Sequence, residues 1–355
     1  MLQRVPVPPV VPEGGLLRVE ACGVCGSDVK KYSTASMPPT ILGHETVGTI
    51  EQVGEAAGRR WGVREGDRVL LEEYLPCGHC AYCRTGEFRS CQETDTMRPG
   101  SIRYGSTPMT VPPALWGGYS QYQFLHLNSV LHRIPGGLAG EHAAFALPLG
   151  NGMQWAQADG GVRTGDTVVI QGPGQQGIGC LIASKAAGAG LVIVSGLSRD
   201  AGRLRVASSL GADHTVDVGK ERLAERVADV TGGRLADVVI DCSGGGVSTL
   251  AAALDSVRKR GTVIVASGSA NGARRQGGGP FDLNLLRKKQ VVVKGVRGHG
   301  YEAVEKAIGW LAAGHVPFDL VCRPAVGLAE LGSALRATAV PLGADAPHSS
   351  VRPWD

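Results

Sequence analysis

Features that mark membrane, secreted and nucleic-acid-binding proteins are missing from this sequence of 355 residues. It has no apolar run of the roughly 18 residues that a membrane span needs. Its first dozen residues lack the basic segment and apolar core of a secretory signal. The net charge is only +4 and the basic residues are dispersed, so no cationic stripe is indicated. We therefore expect a cytoplasmic protein that binds neither nucleic acid nor a membrane.

What the sequence contains is typical of a globular protein with about two domains of roughly 150 residues each. Hydrophobic residues make up 43% and charged residues 19%, which is too apolar for a disordered chain. The 53 glycines are about twice the average share, which indicates many tight corners between elements. No internal repeat is present.

The first 150 residues predict a mostly β domain with short strands broken by Gly, Pro and Asp. The predicted strands are Leu16–Glu20, Thr46–Gln52, Arg68–Leu71 and Tyr119–His126.

Beyond residue 150, apolar strands alternate with helical segments, which predicts βαβ units and a doubly wound parallel sheet. Predicted strands are Thr167–Gln171, Leu191–Ser195, Val238–Asp241, Thr262–Ala266 and Val291–Lys294. Predicted helices are Gly177–Ala189, Ala201–Leu210, Thr249–Arg260 and Tyr301–Ala313. The Gly- and Arg-rich residues 270–280 predict an exposed loop.

Four of the nine cysteines form the pattern Cys77-x2-Cys80-x2-Cys83-x7-Cys91. Four thiolates within 15 residues can close a tetrahedral zinc site that leaves no position for substrate, which indicates a structural zinc. Free or disulfide-bonded cysteines are the alternative, and a reducing compartment disfavours them.

The motif Gly172-x-Gly174-x-x-Gly177 directly follows a predicted strand and precedes a predicted helix. In that context the glycines allow the backbone to approach a pyrophosphate at the helix N-terminus, which predicts a dinucleotide site. A glycine-rich turn without a ligand is the alternative.

The acidic residue that binds the ribose of NAD is expected near the end of the second strand, where Gly196 stands instead. Ser198 and Arg199 follow, and either can bind a 2′-phosphate, so the sequence favours NADP over NAD. Asp200 keeps NAD open if it turns inward, and a solvated Arg199 is the plain alternative.

Two short segments, Gly23-Val24-Cys25-Gly26-Ser27-Asp28 and Gly43-His44-Glu45, add candidate ligands for a second, open metal site. Taken alone, each is compatible with a buried cysteine and a hydrogen-bonded histidine. Beside a dinucleotide motif, these residues become candidate metal ligands.

Taken together, the sequence resembles the medium-chain dehydrogenase family, the zinc-dependent alcohol dehydrogenases, over essentially its whole length. The segments that carry the resemblance are GVCGSD at 23–28, GHE at 43–45, GDRV at 66–69, the cysteine lobe at 77–91, GGYSQY at 117–122 and GPGQQG at 172–177. The resemblance implies a GroES-like catalytic domain at 1–148 and 292–355, a Rossmann domain at 149–291, an active site in the cleft between them, and a homodimer or homotetramer.

The resemblance also implies roles for individual residues. Cys25 and His44 would be catalytic zinc ligands, and Glu45 would be an adjoining carboxylate able to approach the metal. Ser27 would start a proton relay from the substrate hydroxyl, and Asp28 would orient the His44 imidazole. Zinc would polarise the oxygen of a small alcohol or carbonyl substrate while hydride passes to or from the nicotinamide.

One position departs from the family pattern. Where the family has a third Cys, Glu or Asp ligand, an ungapped count back from the glycine motif places Leu147. Either Cys25, His44 and Glu45 hold the metal with water, or the catalytic zinc is weak or absent. A zinc-free, NADPH-dependent reductase of quinones or enones is therefore the alternative enzyme. A nicotinamide-binding protein without turnover is the alternative outside enzymes.

Overall fold

The computed structural model describes residues 2–34, 36–95, 97–98, 100–268, 282–339 and 346–355. These residues form two compact units. One contains the described residues of 2–147, 300–339 and 348–355, and the other those of 148–299 and 346–347. Among the described residues, no helix has the length and apolar character needed to cross a membrane.

The described strands, in chain order, are β1 Gly15–Gly23, β2 Glu45–Val53, β3 Arg68–Leu71, β4 Tyr122–Leu125, β5 Leu131–Arg133, β6 Thr167–Gln171, β7 Leu191–Gly196, β8 His214–Asp217, β9 Ala236–Asp241, β10 Val257–Val265, β11 Val292–Gly295 and β12 Ser350–Val351. The described helices are α1 Gly26–Tyr32, α2 Glu55–Trp61, α3 Ala81–Arg84, α4 Gly140–Ala143, α5 Ala146–Gly152, α6 Gln175–Ala186, α7 Ala201–Ser209, α8 Leu223–Val230, α9 Val247–Ser256, α10 Leu283–Lys289, α11 Tyr301–Ala312, α12 Phe318–Val321 and α13 Leu331–Ala339. A π-helical segment, Met153–Asp159, continues α5, and short 3₁₀ turns cover Phe88–Ser90, Ser198–Asp200 and Leu328–Glu330.

The first unit is built on an antiparallel sheet of order β12-β1-β2-β3-β5, with β4 also paired to β1. Apolar side chains from neighbouring strands, including Leu17, Ile50, Val69 and Leu125, form one buried cluster. The sheet matters for function because β1 ends at Gly23, just before Cys25, while β2 begins at Glu45. Their antiparallel register pairs Gly23 with Glu45, which brings the two predicted ligand segments together.

The second unit is built on a parallel sheet of order β11-β10-β9-β6-β7-β8. Its central strands are almost entirely buried and rich in Val and Ile, as expected for a parallel sheet covered on both faces. The chain runs from β6 outward to β8 and then returns to β9 on the other side of β6. The carboxyl end of β6 is therefore a topological switch point, where such sheets bind nucleotides.

The predicted fold class, a mostly β GroES-like domain with a Rossmann domain, is confirmed. The helix predicted at Thr249–Arg260 was too long, because it ends at Ser256 and the chain enters β10 at Val257. Val257 pairs with Ala236 of β9, so sheet pairing overrides the helical pattern there.

The strand predicted near Val291 belongs to the parallel sheet, because β11 pairs with β10 along its whole length. The predicted domain boundary at residue 292 placed this strand in the other domain, whereas the compact unit extends to residue 299. The sequence patterns also did not predict β8 or α8. The loop predicted at 270–280 lies outside the described residues.

Candidate functional site

The four-cysteine lobe brings its thiols together within one short segment. The sulfur atoms of Cys77, Cys80, Cys83 and Cys91 all lie within 4.8 Å of one another. The Sγ atoms of Cys77 and Cys83 are 4.0 Å apart, close to the roughly 3.8 Å between sulfurs of a tetrahedral zinc–thiolate site. Gly78, with a φ of +78°, allows the left-handed turn between the first two cysteines.

Backbone amides of the lobe already point at sulfur atoms. The amide of Cys77 donates to Cys91 Sγ at 3.3 Å, and the amide of Cys80 donates to Cys77 Sγ at 3.3 Å. Burial opposes ionisation, but the amide of Cys77 and the donors of Glu93 and Thr94 outweigh it and lower the pKa of the Cys91 thiol to about 6. Since zinc binds thiolates, the donor set and its hydrogen bonds fit a structural zinc.

A second donor cluster lies where β1 and β2 pair. Ligand atoms of Cys25, His44 and Glu45 lie within 4.8 Å of one another. The Glu45 side chain is buried, and a Cβ at position 23 would lie 2.2 Å from Glu45 Oε2. Glycine at position 23 is therefore what makes room for this carboxylate.

The carboxylate of Asp28 lies beside this cluster and accepts three hydrogen bonds. The amide of Cys25 donates to its Oδ2 at 3.1 Å, the Tyr119 hydroxyl donates to the same oxygen at 3.0 Å, and the amide of Gly43 donates to Oδ1 at 3.4 Å. His44 Nδ1 lies 3.3 Å from Asp28 Oδ1. Asp28 thus lies on the Nδ1 side of the imidazole and leaves Nε2 available to a metal, as a carboxylate partner does beside a metal-binding histidine.

The charges of this cluster are strongly coupled. Burial alone would raise the pKa of Asp28, but the His44 imidazole holds it below its usual range. Burial alone would lower the pKa of His44, but the carboxylates of Asp28 and Glu73 raise it well above its usual range. The cluster is therefore rich in negative charge on both sides of one imidazole, which is suited to a cation.

The sequence also drew attention to Ser27, as a proton acceptor, and to Leu147, at the usual position of a third ligand. Ser27 lies in the first turn of α1 and is partly exposed. Leu147 is buried, with 4% of its surface exposed, and contributes no donor atom. The described cluster thus contains Cys25, His44 and Glu45, as the resemblance implied, without a ligand from position 147.

Three residues near the cluster were missed by the sequence reading. Glu73 places Oε2 at 3.7 Å from His44 Nε2, and Arg103 Nη1 lies 3.6 Å from Glu73 Oε1. Tyr119 belongs to the GGYSQY segment, but the motif did not indicate that its hydroxyl supports Asp28. Glu73 and Arg103 belong to none of the segments that carried the resemblance.

The glycine motif lies between β6 and the N-terminus of α6. Gly172 has a φ of +97°, and a Cβ on Gly177 would lie 1.9 Å from the Gly172 carbonyl oxygen. These two glycines are needed for the turn and for helix packing. A Cβ on Gly174 would point into open space, so this glycine leaves room for a ligand beside the helix N-terminus.

The end of β7 is crowded at position 196, where the ribose-binding acid was expected. A Cβ on Gly196 would lie 3.0 Å from the Pro173 ring, so a larger side chain is disfavoured. Asp200 is buried and accepts a hydrogen bond from the amide of Leu197 at 3.0 Å, while Arg199 is exposed.

Asp217, which was not among the predicted cofactor-binding residues, also lies in this region. Asp217 ends β8, opposite Gly196, and accepts a hydrogen bond from Ser198 Oγ at 2.9 Å. Ser198 is therefore engaged by an acid, whereas Arg199 keeps an exposed guanidinium.

Comparison with known families matches both units. The alcohol dehydrogenase GroES-like domain matches residues 12–136, and the zinc-binding dehydrogenase domain matches residues 177–313.

Individual proteins are similar over most of the chain. "Probable alcohol dehydrogenase adh" of Mycobacterium tuberculosis is 39% identical over 92% of this chain and 88% of its own length. An erythritol/L-threitol dehydrogenase of Mycolicibacterium smegmatis is 30% identical over 74% of this chain and 72% of its own length. A Sinorhizobium meliloti 1021 structure of the zinc-binding dehydrogenase type, solved with NADP bound, has a TM-score of 0.81 and 25% identity, covering 98% of this chain and 94% of that one.

Proposed function

We propose the reaction of this chain from its family, because it belongs to the zinc-dependent alcohol dehydrogenases of the medium-chain dehydrogenase family. It is an oxidoreductase that transfers a hydride between a nicotinamide cofactor and a small alcohol, aldehyde or ketone. The observation that carries the residue assignments below is the convergence of Cys25, His44 and Glu45 at the junction of β1 and β2.

The two donor clusters fit zinc in different ways. The lobe offers four sulfurs and would hold a structural zinc with no open position. Cys25, His44 and Glu45 offer sulfur, nitrogen and oxygen, which leaves a fourth position for substrate or water. Zinc at this second site would supply Lewis-acid polarisation of the substrate oxygen.

The residues around the second site orient and move protons. Asp28 lies beside Nδ1 of the His44 ring, and Tyr119 and the amide of Cys25 donate hydrogen bonds to Asp28. Ser27, partly exposed on the first turn of α1, is the hydroxyl proposed to accept the proton of the substrate alcohol and pass it to solvent.

For the nicotinamide cofactor we propose a preference for NADP(H). Position 196 holds a glycine where a side chain would crowd Pro173, Asp200 is engaged with its own turn, and Arg199 is an exposed cation. A guanidinium is well suited to a 2′-phosphate, and the NADP-bound structural relative is consistent with this choice. The negative charge of Asp217 would oppose a preference for NADP(H).

The cofactor proposal is tested by kcat/KM with NADPH and NADH. We expect the wild type to favour NADPH, Arg199→Ala to reduce that preference by about tenfold, and Asp217→Asn to leave it or increase it. Equal values for the two cofactors, unaffected by Arg199→Ala, would overturn the assignment. A preference for NADH that Asp217→Asn removes would assign the ribose to Asp217 instead.

Leu147 favours one competing function, a zinc-free NADPH-dependent reductase of quinones or enones. The test is turnover of an alcohol panel, including erythritol and sorbitol, against a quinone and enone panel, each before and after chelation. Alcohol oxidation that is lost on chelation and restored by zinc supports the proposed function. Enone or quinone reduction that chelation leaves unchanged, without alcohol oxidation, supports the reductase.

Two further expectations from the sequence stay predictions. A homodimer or homotetramer is measurable by light scattering of the purified chain. A reducing cytoplasm is consistent with the nine cysteines, all of which are described and free of disulfides.

A further inference from the structure

Glu72 and Glu73 directly follow β3, and their side chains serve different partners. Glu72 is buried and its Oε1 lies 3.2 Å from His132 Nε2. Glu73 approaches His44 instead. This alternation is what extended backbone produces, since successive side chains point to opposite faces.

The backbone around Glu73 is anchored. Its carbonyl oxygen accepts a hydrogen bond from the amide of Tyr104 at 3.0 Å. That contact also fixes the neighbouring Arg103, whose Nη1 lies 3.6 Å from Glu73 Oε1. The carboxylate is thus held between a guanidinium on one side and an imidazole on the other, with 18% of its side-chain surface exposed.

The nitrogen that Glu73 approaches is the one that would bind metal. Nδ1 of His44 lies 3.3 Å from Asp28 Oδ1, which leaves Nε2 as the nitrogen available to a metal. Glu73 Oε2 lies 3.7 Å from this Nε2. Two N or O ligands about 2.0–2.2 Å from one tetrahedral zinc are roughly 3.4 Å apart, so the observed separation is close to that of two ligands sharing an ion.

We propose that Glu73 is a further carboxylate ligand of the second metal site, supplying the anionic donor that Leu147 does not; the substrate oxygen would then join as a fifth ligand, a coordination number that catalytic zinc can reach. The proposal rests on the proposed function, because it presumes that Cys25, His44 and Glu45 hold zinc. Glu73 lies outside the 4.8 Å group of those three residues, so its carboxylate would rotate toward the ion from its present place beside Arg103. Arg103 acts as a positioning residue that holds Glu73 near the site.

The charges fit this assignment. Cys25 as thiolate, Asp28, Glu45 and Glu73 would carry four negative charges against the two positive charges of zinc. The Arg103 guanidinium, 3.6 Å from Glu73, and the ammonium group of Lys31, which interacts with Asp28 and Glu73, supply the two balancing charges. A buried site in which charges balance avoids the cost of an uncompensated ion.

The experiment measures zinc affinity by chelator competition on the intact protein, with the four-cysteine site loaded. Glu73→Gln should lower the zinc affinity of the second site at least tenfold, because a neutral amide is a poorer zinc ligand than a carboxylate. The zinc affinity of the four-cysteine site should stay unchanged. Glu73→Asp, which keeps the charge on a shorter side chain, should give an intermediate value. Glu55→Gln, at an exposed carboxylate, is the matched control and should change neither site.

Cobalt substitution supplies a readout that does not depend on turnover. Loss of a carboxylate ligand should change the visible d–d absorption of cobalt at the second site in Glu73→Gln, whereas Glu55→Gln should leave the wild-type spectrum. Thermal unfolding of each variant checks that the fold is intact, and Glu73→Asp carries the test if Glu73→Gln does not fold.

The outcomes separate the two proposals. A wild type that binds two zincs, with a Glu73→Gln variant of equal second-site affinity and unchanged cobalt spectrum, would overturn the Glu73 assignment alone. A wild type that binds only one zinc in excess metal would overturn the second metal site and the Glu73 assignment with it.

Discussion

The two metal-binding clusters of this chain use similar chemistry in opposite ways. In the lobe, all four donors are sulfurs from one segment of 15 residues, held by local amide bonds. In the second cluster, Cys25 follows the end of β1, His44 and Glu45 lie at the start of β2, and the three differ in donor type. The comparison shows that a closed site can be specified locally, whereas an open site depends on the sheet that assembles it and on supporting residues.

The largest effect, a loss of thermal stability, is expected when one cysteine of the lobe is replaced. Cys83→Ser should lower the midpoint of thermal unfolding by roughly 10 °C, because structural zinc contributes its binding energy directly to folding. Activity per folded molecule should stay near wild type, as measured on the fraction that remains folded. Cys322→Ser, outside both clusters, is the control. A stable Cys83→Ser protein with its activity specifically lost would reverse the roles of the two clusters.

Loss of a ligand from the second cluster should reduce activity and zinc content while stability changes little. Glu45→Gln keeps the shape of a buried side chain but removes its charge, and we expect alcohol oxidation to fall by at least about 100-fold. The zinc content should fall from two per chain toward one, while the unfolding midpoint changes little. Full activity with two zincs bound would show that Glu45 is not a ligand.

Weakening the support of the second cluster should have a smaller effect. Tyr119→Phe removes the hydroxyl that donates to Asp28, and zinc at the second site should bind about tenfold more weakly. Tyr104→Phe is the control, because Tyr104 is also buried and its hydroxyl bonds to Ser129 and the amide of His126 rather than to Asp28. If both variants bind zinc like the wild type, Asp28 does not need Tyr119 to orient His44.

The smallest expected effect concerns His132, whose interactions resemble those of His44 without a metal cluster. Burial lowers its pKa, but the carboxylates of Glu72 and Glu305 outweigh burial and raise it above its usual range. A raised folded-state pKa contributes stability that is complete below about pH 6.5 and is lost as the pH rises through the folded pKa.

The difference in unfolding free energy between wild type and His132→Gln should therefore be about 1 kcal/mol larger at pH 6 than at pH 9. Denaturant titrations at the two pH values measure it, with His315→Gln, at an exposed histidine, as the control. A difference that is independent of pH would mean that His132 stays neutral between its two carboxylates.

The sequence predicted most of what depends on local spacing. The cysteine lobe, the glycine motif and the strands around them follow from short patterns, and Arg68–Leu71 and Thr167–Gln171 agree at both ends. The helix predicted through Arg260 failed because pairing between Val257 and Ala236, 21 positions apart, decided the conformation.

The supporting residues of the second cluster could not be read from the sequence for the same reason. Glu73 meets His44 only because β2 and β3 pair, and Tyr119 meets Asp28 across 91 positions. Likewise, Asp217 faces Gly196 only through the pairing of β7 with β8. The motif identified Gly196 as unusual, and the ring of Pro173 supplies the physical reason.

The central claim is that the chain holds two zincs with different tasks, and a metal count of the wild type tests it most directly. The protein is saturated with zinc, freed of excess metal and analysed for zinc per chain alongside alcohol oxidation. We expect two zincs per chain, of which mild chelation removes one together with the activity while the fold persists. One zinc per chain after saturation, with normal turnover, would contradict the account.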